Sequence, residues 1–104
     1  MIFGRGDYER TAIAAWDYLC GKLTERWLFD SAAPGNADHA DRGNHQLSIA
    51  DVDGDGRDEV IYGSMAVDDD GKGLWTDKLL HGDAMHVGDL DPNRPGLEKW
   101  GVHE

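Results

Sequence analysis

The chain has 104 residues, enough for one small domain, and carries 10 Lys and Arg against 21 Asp and Glu for a net charge of -11. That balance repels phosphate backbones and anionic bilayers, which argues against nucleic acid or membrane as a partner. Four Trp, three Tyr and two Phe argue against a disordered acidic chain, and the single Cys20 excludes an intramolecular disulfide and a cysteine zinc site.

No stretch approaches transmembrane length, and the N-terminus lacks the regions of a signal peptide. Both ends read as cut, so a fragment is expected. If the parent is secreted, its signal lies outside this sequence.

Residues 11–18 fit a strand with Thr11, Ile13 and Ala15 on one face and Trp16 and Tyr18 on the other. Helical spacing of Ala12, Trp16 and Leu19 fits as well. The turn signal at Gly21-Lys22 and the alternation of Leu23, Trp27 and Phe29 favour a β-hairpin. Residues 31–44 are small and polar and read as a loop, with His39 facing solvent. Leu47 and Ile49 then alternate into an acidic stretch. Residues 59–67 follow as one apolar run, then a turn at Asp70-Gly71 and a further run over 73–80. Residues 82–89 and 97–103 make a last strand, loop and strand joined by DPNRPG. Short elements separated by turns predict an all-β fold.

An internal repeat refines this. Residues 45–53 align with residues 83–91 at an offset of 38 (Asp51 to Asp89), with apolar matches Leu47/Met85, Ile49/Val87 and Val52/Leu90. With one inserted residue, Glu59 matches Glu98. A period of about 40 residues holding several short strands marks a β-propeller blade. The alternative is chance similarity between two acidic loops.

Residues 51–59 read DVDGDGRDE. Asp51, Asp53 and Asp55 stand at positions 1, 3 and 5 of a calcium loop, with Gly56 at the tight turn of position 6. The carbonyl of Arg57 can supply position 7, and Glu59 falls at position 9. Tyr62 stands where an EF-hand has Glu, and the flanks are β-like, so the loop is structural and no calcium sensor. The second loop keeps Asp89, Asp91 and Glu98 but has Asn93 at position 5, with Pro92 and Pro95 stiffening it. It fits a metal site and a rigid turn equally well.

His45, His81, His86 and His103 surround these loops. The repeat places Asp83 where His45 sits, so His45, His81 and Asp83 can form a mixed site between neighbouring blades. Nitrogen ligands by themselves favour zinc over calcium. The competing reading is that these histidines hydrogen-bond the loop backbones.

The stretches GNHQLSIADVDGDGRDEVIYGSMAVDDDGKGL and HGDAMHVGDLDPNRPGLEKWGVHE, with RTAIAAWDY and KLTERWLFDS upstream, closely resemble the rhamnogalacturonan endolyases of polysaccharide lyase family eleven. The resemblance covers nearly the whole chain but a minority of the family's length. It implies a secreted bacterial enzyme of pectin degradation, built as an eight-bladed β-propeller with several calcium ions. Residues 11–30 would be the outer strands of one blade, 46–80 a second blade and 83–103 the start of a third. The rest of that propeller would be this segment's partner. The resemblance also places calcium, in preference to zinc, at His45, His81 and Asp83 beside the substrate cleft. The implied reaction is calcium-assisted β-elimination at galacturonate in rhamnogalacturonan, a pectic polysaccharide. His86 and His103 fit a base by residue type only, so no catalytic base is assigned. The fragment alone is expected to be inactive. The alternative is a non-catalytic, calcium-dependent carbohydrate-binding or adhesion propeller.

Overall fold

The computed structural model describes residues 1–6 and 8–103 and is all-β apart from one 3-10 turn at Ala37–His39. Nine strands form three antiparallel sheets in chain order. The first holds β1 (Ile2–Arg5), β2 (Ala12–Leu19) and β3 (Lys22–Asp30). The second is a four-stranded meander of β4 (Leu47–Ala50), β5 (Glu59–Tyr62), β6 (Met65–Val67) and β7 (Gly73–Thr76). The third pairs β8 (Gly82–Gly88) with β9 (Glu98–His103).

The second sheet lies between the other two. Val60, Tyr62, Met65 and Val67 pack with Ile13 and Phe29 of the first sheet, while Ile61 and Ala66 pack with Met85 of the third. Both faces of β5 and β6 are therefore buried, which is why their sequence is a continuous apolar run without alternation. Polar clasps join the layers. The Trp27 indole donates to the Asp69 carbonyl at 2.8 Å, and the Met85 N–H donates to Gln46 Oε1 at 2.9 Å.

Four expectations change. The run 59–67 is two strands, because Gly63 adopts φ 66 and turns the chain with Ser64 so that Val60 pairs with Val67. The dipeptide Gly63-Ser64 is itself a hairpin signal. A first strand at Ile2–Arg5, too short and glycine-bearing to show periodicity, pairs with β2. His39 does not face solvent: its ring sits edge-on to Phe29 at 5.3 Å, with both nitrogens buried. Leu23 is half exposed, because the hairpin tip projects beyond a bulge that puts Ala15 opposite Trp27 and Trp16 opposite Glu25.

The segment between β3 and β4 acts as a strap. The Arg42 carbonyl accepts from Ser64 N–H at 2.9 Å, and the Gly43 carbonyl accepts from Gly82 N–H at 3.2 Å. A parallel bridge pairs Asn44 with Gly82. This strap carries His45 to the start of β8.

Candidate metal centre

The bridge at Asn44 and Gly82 brings together histidines 36 residues apart in sequence (His45 to His81). Gly82 is packed from both sides, since a Cβ there would lie 2.8 Å from the Val102 carbonyl oxygen of β9 and 3.4 Å from Asn44 Nδ2 of the strap. Nε2 of His45 stands 3.8 Å from Asp83 Oδ1, and Nε2 of His81 stands 3.9 Å from the same oxygen. The two imidazoles meet edge to face at 5.0 Å, and Tyr8 lies against His81 at 4.2 Å between centroids. His81 is buried, while the His45 and Asp83 side chains are 56% and 53% exposed. One ligand atom from each residue falls within 4.8 Å of the others, a spacing that suits a shared cation. The buried ligand backs the site and the exposed pair leaves coordination positions open to solvent. This trio spans the seam between the second and third sheets.

The acidic loop after β4 is shaped by two glycines and by its own aspartates. Gly54 and Gly56 take φ values of 83 and 88, a left-handed conformation that favours glycine. Asp51 accepts from the N–H groups of Gly54 at 2.7 Å and Gly56 at 3.0 Å. Asp53 accepts from Asp55 N–H and Asp55 from Arg57 N–H. Ligand oxygens of Asp51, Asp53 and Glu59 gather within 4.8 Å. Asp55 is outside that grouping, and the Arg57 guanidinium pairs with Asp69 at 3.1 Å. Glu59 is fully buried; its Oε2 accepts from Val52 N–H at 2.8 Å and its Oε1 has no partner. Burial, then the charges of Asp53 and Asp55, hold this carboxyl above the usual carboxylate range despite hydrogen bonds from Val52 and Asp53.

The second loop repeats one element of the first. Glu98 Oε2 accepts from Leu90 N–H at 2.9 Å and Asp91 N–H at 3.0 Å, as Glu59 does for Val52. Asp91 accepts from Asn93 N–H at 3.2 Å. Among the described residues Asp89, Asp91 and Glu98 are not gathered into a ligand cluster. A grouping missed in the sequence is Glu59 with Asp68 and Asp69, whose signal was the run of three aspartates read only as a turn. His103 has Nδ1 3.0 Å from the Leu80 carbonyl oxygen and Nε2 3.5 Å from Lys99 Nζ, and His86 lies beside Trp100.

Residues 1–104 match the family described as rhamnogalacturonan lyase family 11, C-terminal domain. The chain is 60% identical over its full length to rhamnogalacturonan exolyase YesX and 58% identical to rhamnogalacturonan endolyase YesW, both of Bacillus subtilis (strain 168). It spans 17% of the length of each of these relatives. The crystal structure of YesX superposes with a TM-score of 0.96 over 99% of this chain and 17% of that one, at 60% identity. A rhamnogalacturonan lyase of Bacillus licheniformis matches with the same TM-score at 61% identity, over 99% of this chain and 18% of that one. A relative described as an exolyase and one described as an endolyase thus match almost equally well.

Proposed function

The chain belongs to rhamnogalacturonan lyase family 11, and from that premise we propose that it supplies part of the substrate cleft of a lyase cleaving the rhamnogalacturonan backbone of pectin by β-elimination. The convergence of His45, His81 and Asp83 on one half-open position carries this reading. Calcium held there would act as a Lewis acid on the galacturonate carboxylate and so acidify the C5 proton. His81, buried behind Tyr8, fixes the rear of the site. His45 and Asp83, half exposed, face the incoming sugar. An acidic chain acting on an acidic polymer needs such a cation at the contact, because the net charge of -11 otherwise repels the substrate.

The three stacked sheets fit consecutive blades of a propeller whose remaining blades lie in the rest of the protein. The middle sheet, with four strands and both faces covered, is the complete unit. The Asp51 loop is then a structural calcium clasp between β4 and β5. A polymeric substrate met outside the cell supports a secreted enzyme. The 104 residues alone, with sheet edges unpaired, are expected to be inactive. No residue of this chain is assigned as the base; both nitrogens of His103 already have neighbours.

In the intact protein, His81→Ala should lower the rate of unsaturated uronate formation by about 100-fold or more, read as ultraviolet absorbance with rhamnogalacturonan and calcium. Undiminished turnover would sink the proposed role. Polysaccharide binding with no absorbance change in the unsubstituted protein would leave a carbohydrate-binding module instead.

A further inference from the structure

The histidine position has a neighbour on the first sheet, where the chain closes a turn between β1 and β2. Gly6 takes φ 86, and an added Cβ there would lie 1.8 Å from the Arg10 carbonyl oxygen. Thr11, fully buried, donates its hydroxyl to the Gly6 carbonyl at 3.0 Å and so seals the neck of the turn. Glu9 takes φ 58, a left-handed conformation that favours glycine. The strap keeps it there: Asp41 N–H donates to the Glu9 carbonyl at 2.6 Å, and Asp41 is itself left-handed at φ 60. Residues with side chains held in such conformations cluster at ligand sites. The turn is thus tied to the same strap that carries His45.

A cavity of about 460 Å³ opens beside this turn, lined by Arg5, Tyr8, Glu9 and Arg10 among others, a volume suited to a small ligand or a sugar unit. Its charges are unevenly committed. Arg10 is held by both carboxylate oxygens of Asp30. Arg5 and Glu9 are exposed, and among the described residues neither has an ion-pair partner, in the other or elsewhere. Tyr8 joins the cavity to the histidine position, since its ring lies against His81 at 4.2 Å between centroids yet remains 55% exposed. These three groups match the chemistry of an acidic sugar. A guanidinium binds a carboxylate through two parallel hydrogen bonds. A carboxylate accepts from ring hydroxyls, and a tyrosine offers an apolar face to the C–H side of a pyranose with a polar tip for water or sugar. In a chain of net charge -11, an uncommitted arginine beside the histidine position is the local exception that an anionic ligand requires.

We propose that Arg5, Tyr8 and Glu9 form a uronate subsite, which holds a sugar of the same polymer beside the one at His45, His81 and Asp83. Arg5 pairs with the carboxylate of that sugar, Glu9 takes its hydroxyls, and Tyr8 is the wall shared by the two positions. This subsite rests on the reading of the chain as part of a lyase cleft. It sets which stretch of polymer is held and leaves the chemistry to the histidine position.

The test uses the intact protein with calcium and a rhamnogalacturonan oligosaccharide. Where the parent forms unsaturated uronate, KM from ultraviolet absorbance is the readout; where it does not, calorimetric titration with the same oligosaccharide measures binding directly. Arg5→Gln should raise KM, or weaken binding, by about 10-fold, with the smaller change in kcat. The loss should shrink as salt is raised toward about 1 M, where charges act over only about 3 Å, and Arg5→Lys should recover part of it. An Arg5→Gln protein equal to the parent, or a loss that salt leaves unchanged, overturns the subsite and leaves the His81→Ala expectation standing. Binding without turnover in the parent, weakened by Arg5→Gln, supports the subsite and removes the lyase reading. A parent that neither binds nor cleaves the oligosaccharide overturns both.

Discussion

His39 shows how a single side chain can bind the fold to pH. Its ring is enclosed by Phe29 and by Gly73, where an added Cβ would lie 2.7 Å from the imidazole, and neither ring nitrogen has a hydrogen-bond partner. Burial lowers its pKa, the Asp38 charge pulls the other way, and Arg42 adds to the lowering. The folded state therefore keeps the imidazole neutral while the unfolded chain takes up a proton below its ordinary pKa of about 6.5. Stability should fall as pH drops through that value toward the depressed folded pKa. In the intact protein, the loss in urea midpoint between pH ~7.5 and ~5.5 should be smaller in His39→Gln than in the parent. An equal loss would show that the ring is protonated without penalty. The sequence disclosed the type of this residue but not its surroundings, because Phe29 and Gly73 reach it only through tertiary packing. Asp51, Asp53 and Gly56 were legible, since the loop geometry is set by local hydrogen bonds and two left-handed glycines. Asp68 and Asp69 were not, since their relation to Glu59 exists only once β5 and β6 pair.

Among the elements, the hairpin of β2 and β3 turns through Cys20 and Gly21, with φ values of 52 and 75, while Leu19 pairs with Lys22. This is one residue earlier than the Gly21-Lys22 signal suggested. Two successive positive φ values match the right-handed twist of the strands, and Asn-Gly is the pair that accepts them most readily. Cysteine in that conformation is strained by about 1 kcal/mol relative to glycine. Replacing the exposed thiol, Cys20→Asn, should raise the stability of the intact protein by roughly 0.5 kcal/mol and leave any lyase activity unchanged. A lower denaturation midpoint would refute this account of the turn. Local turn chemistry explains most of what the sequence revealed about elements. The pairs β2–β3 and β8–β9 declared themselves through alternation and punctuation. The split of β5 from β6 was hidden, because burial on both faces erases the alternation that marks a strand's limits.

At the scale of the molecule, the sheets are joined by two apolar clusters and few polar contacts, while acidic loops crowd the ends of the second sheet. Cations at Asp51, Asp53 and Glu59 would relieve repulsion that the fold itself leaves uncompensated. Chelation with EGTA should therefore lower the melting temperature of the intact protein and weaken its near-ultraviolet dichroism, and calcium should restore both. A ligand at 100 times its dissociation constant stabilises by about 2.7 kcal/mol, a shift easily measured. No change after chelation would mean these loops are held by their own hydrogen bonds. All-β character was readable at this scale. The order of the layers was not, because nothing local says which face of a sheet meets which neighbour.

His45 lies just before β4, and His81 and Asp83 lie at the start of β8, so residues 46–80, the middle sheet with its loops, contain none of the three. The centre is owned by a junction. Transplanting that one unit into another protein would carry its acidic clasp but leave the histidine site behind. On the proposed reading, shuffling by whole units would preserve the scaffold and separate the three candidate ligands, so a chimera that keeps the site would exchange two neighbouring units together with the strap that joins them.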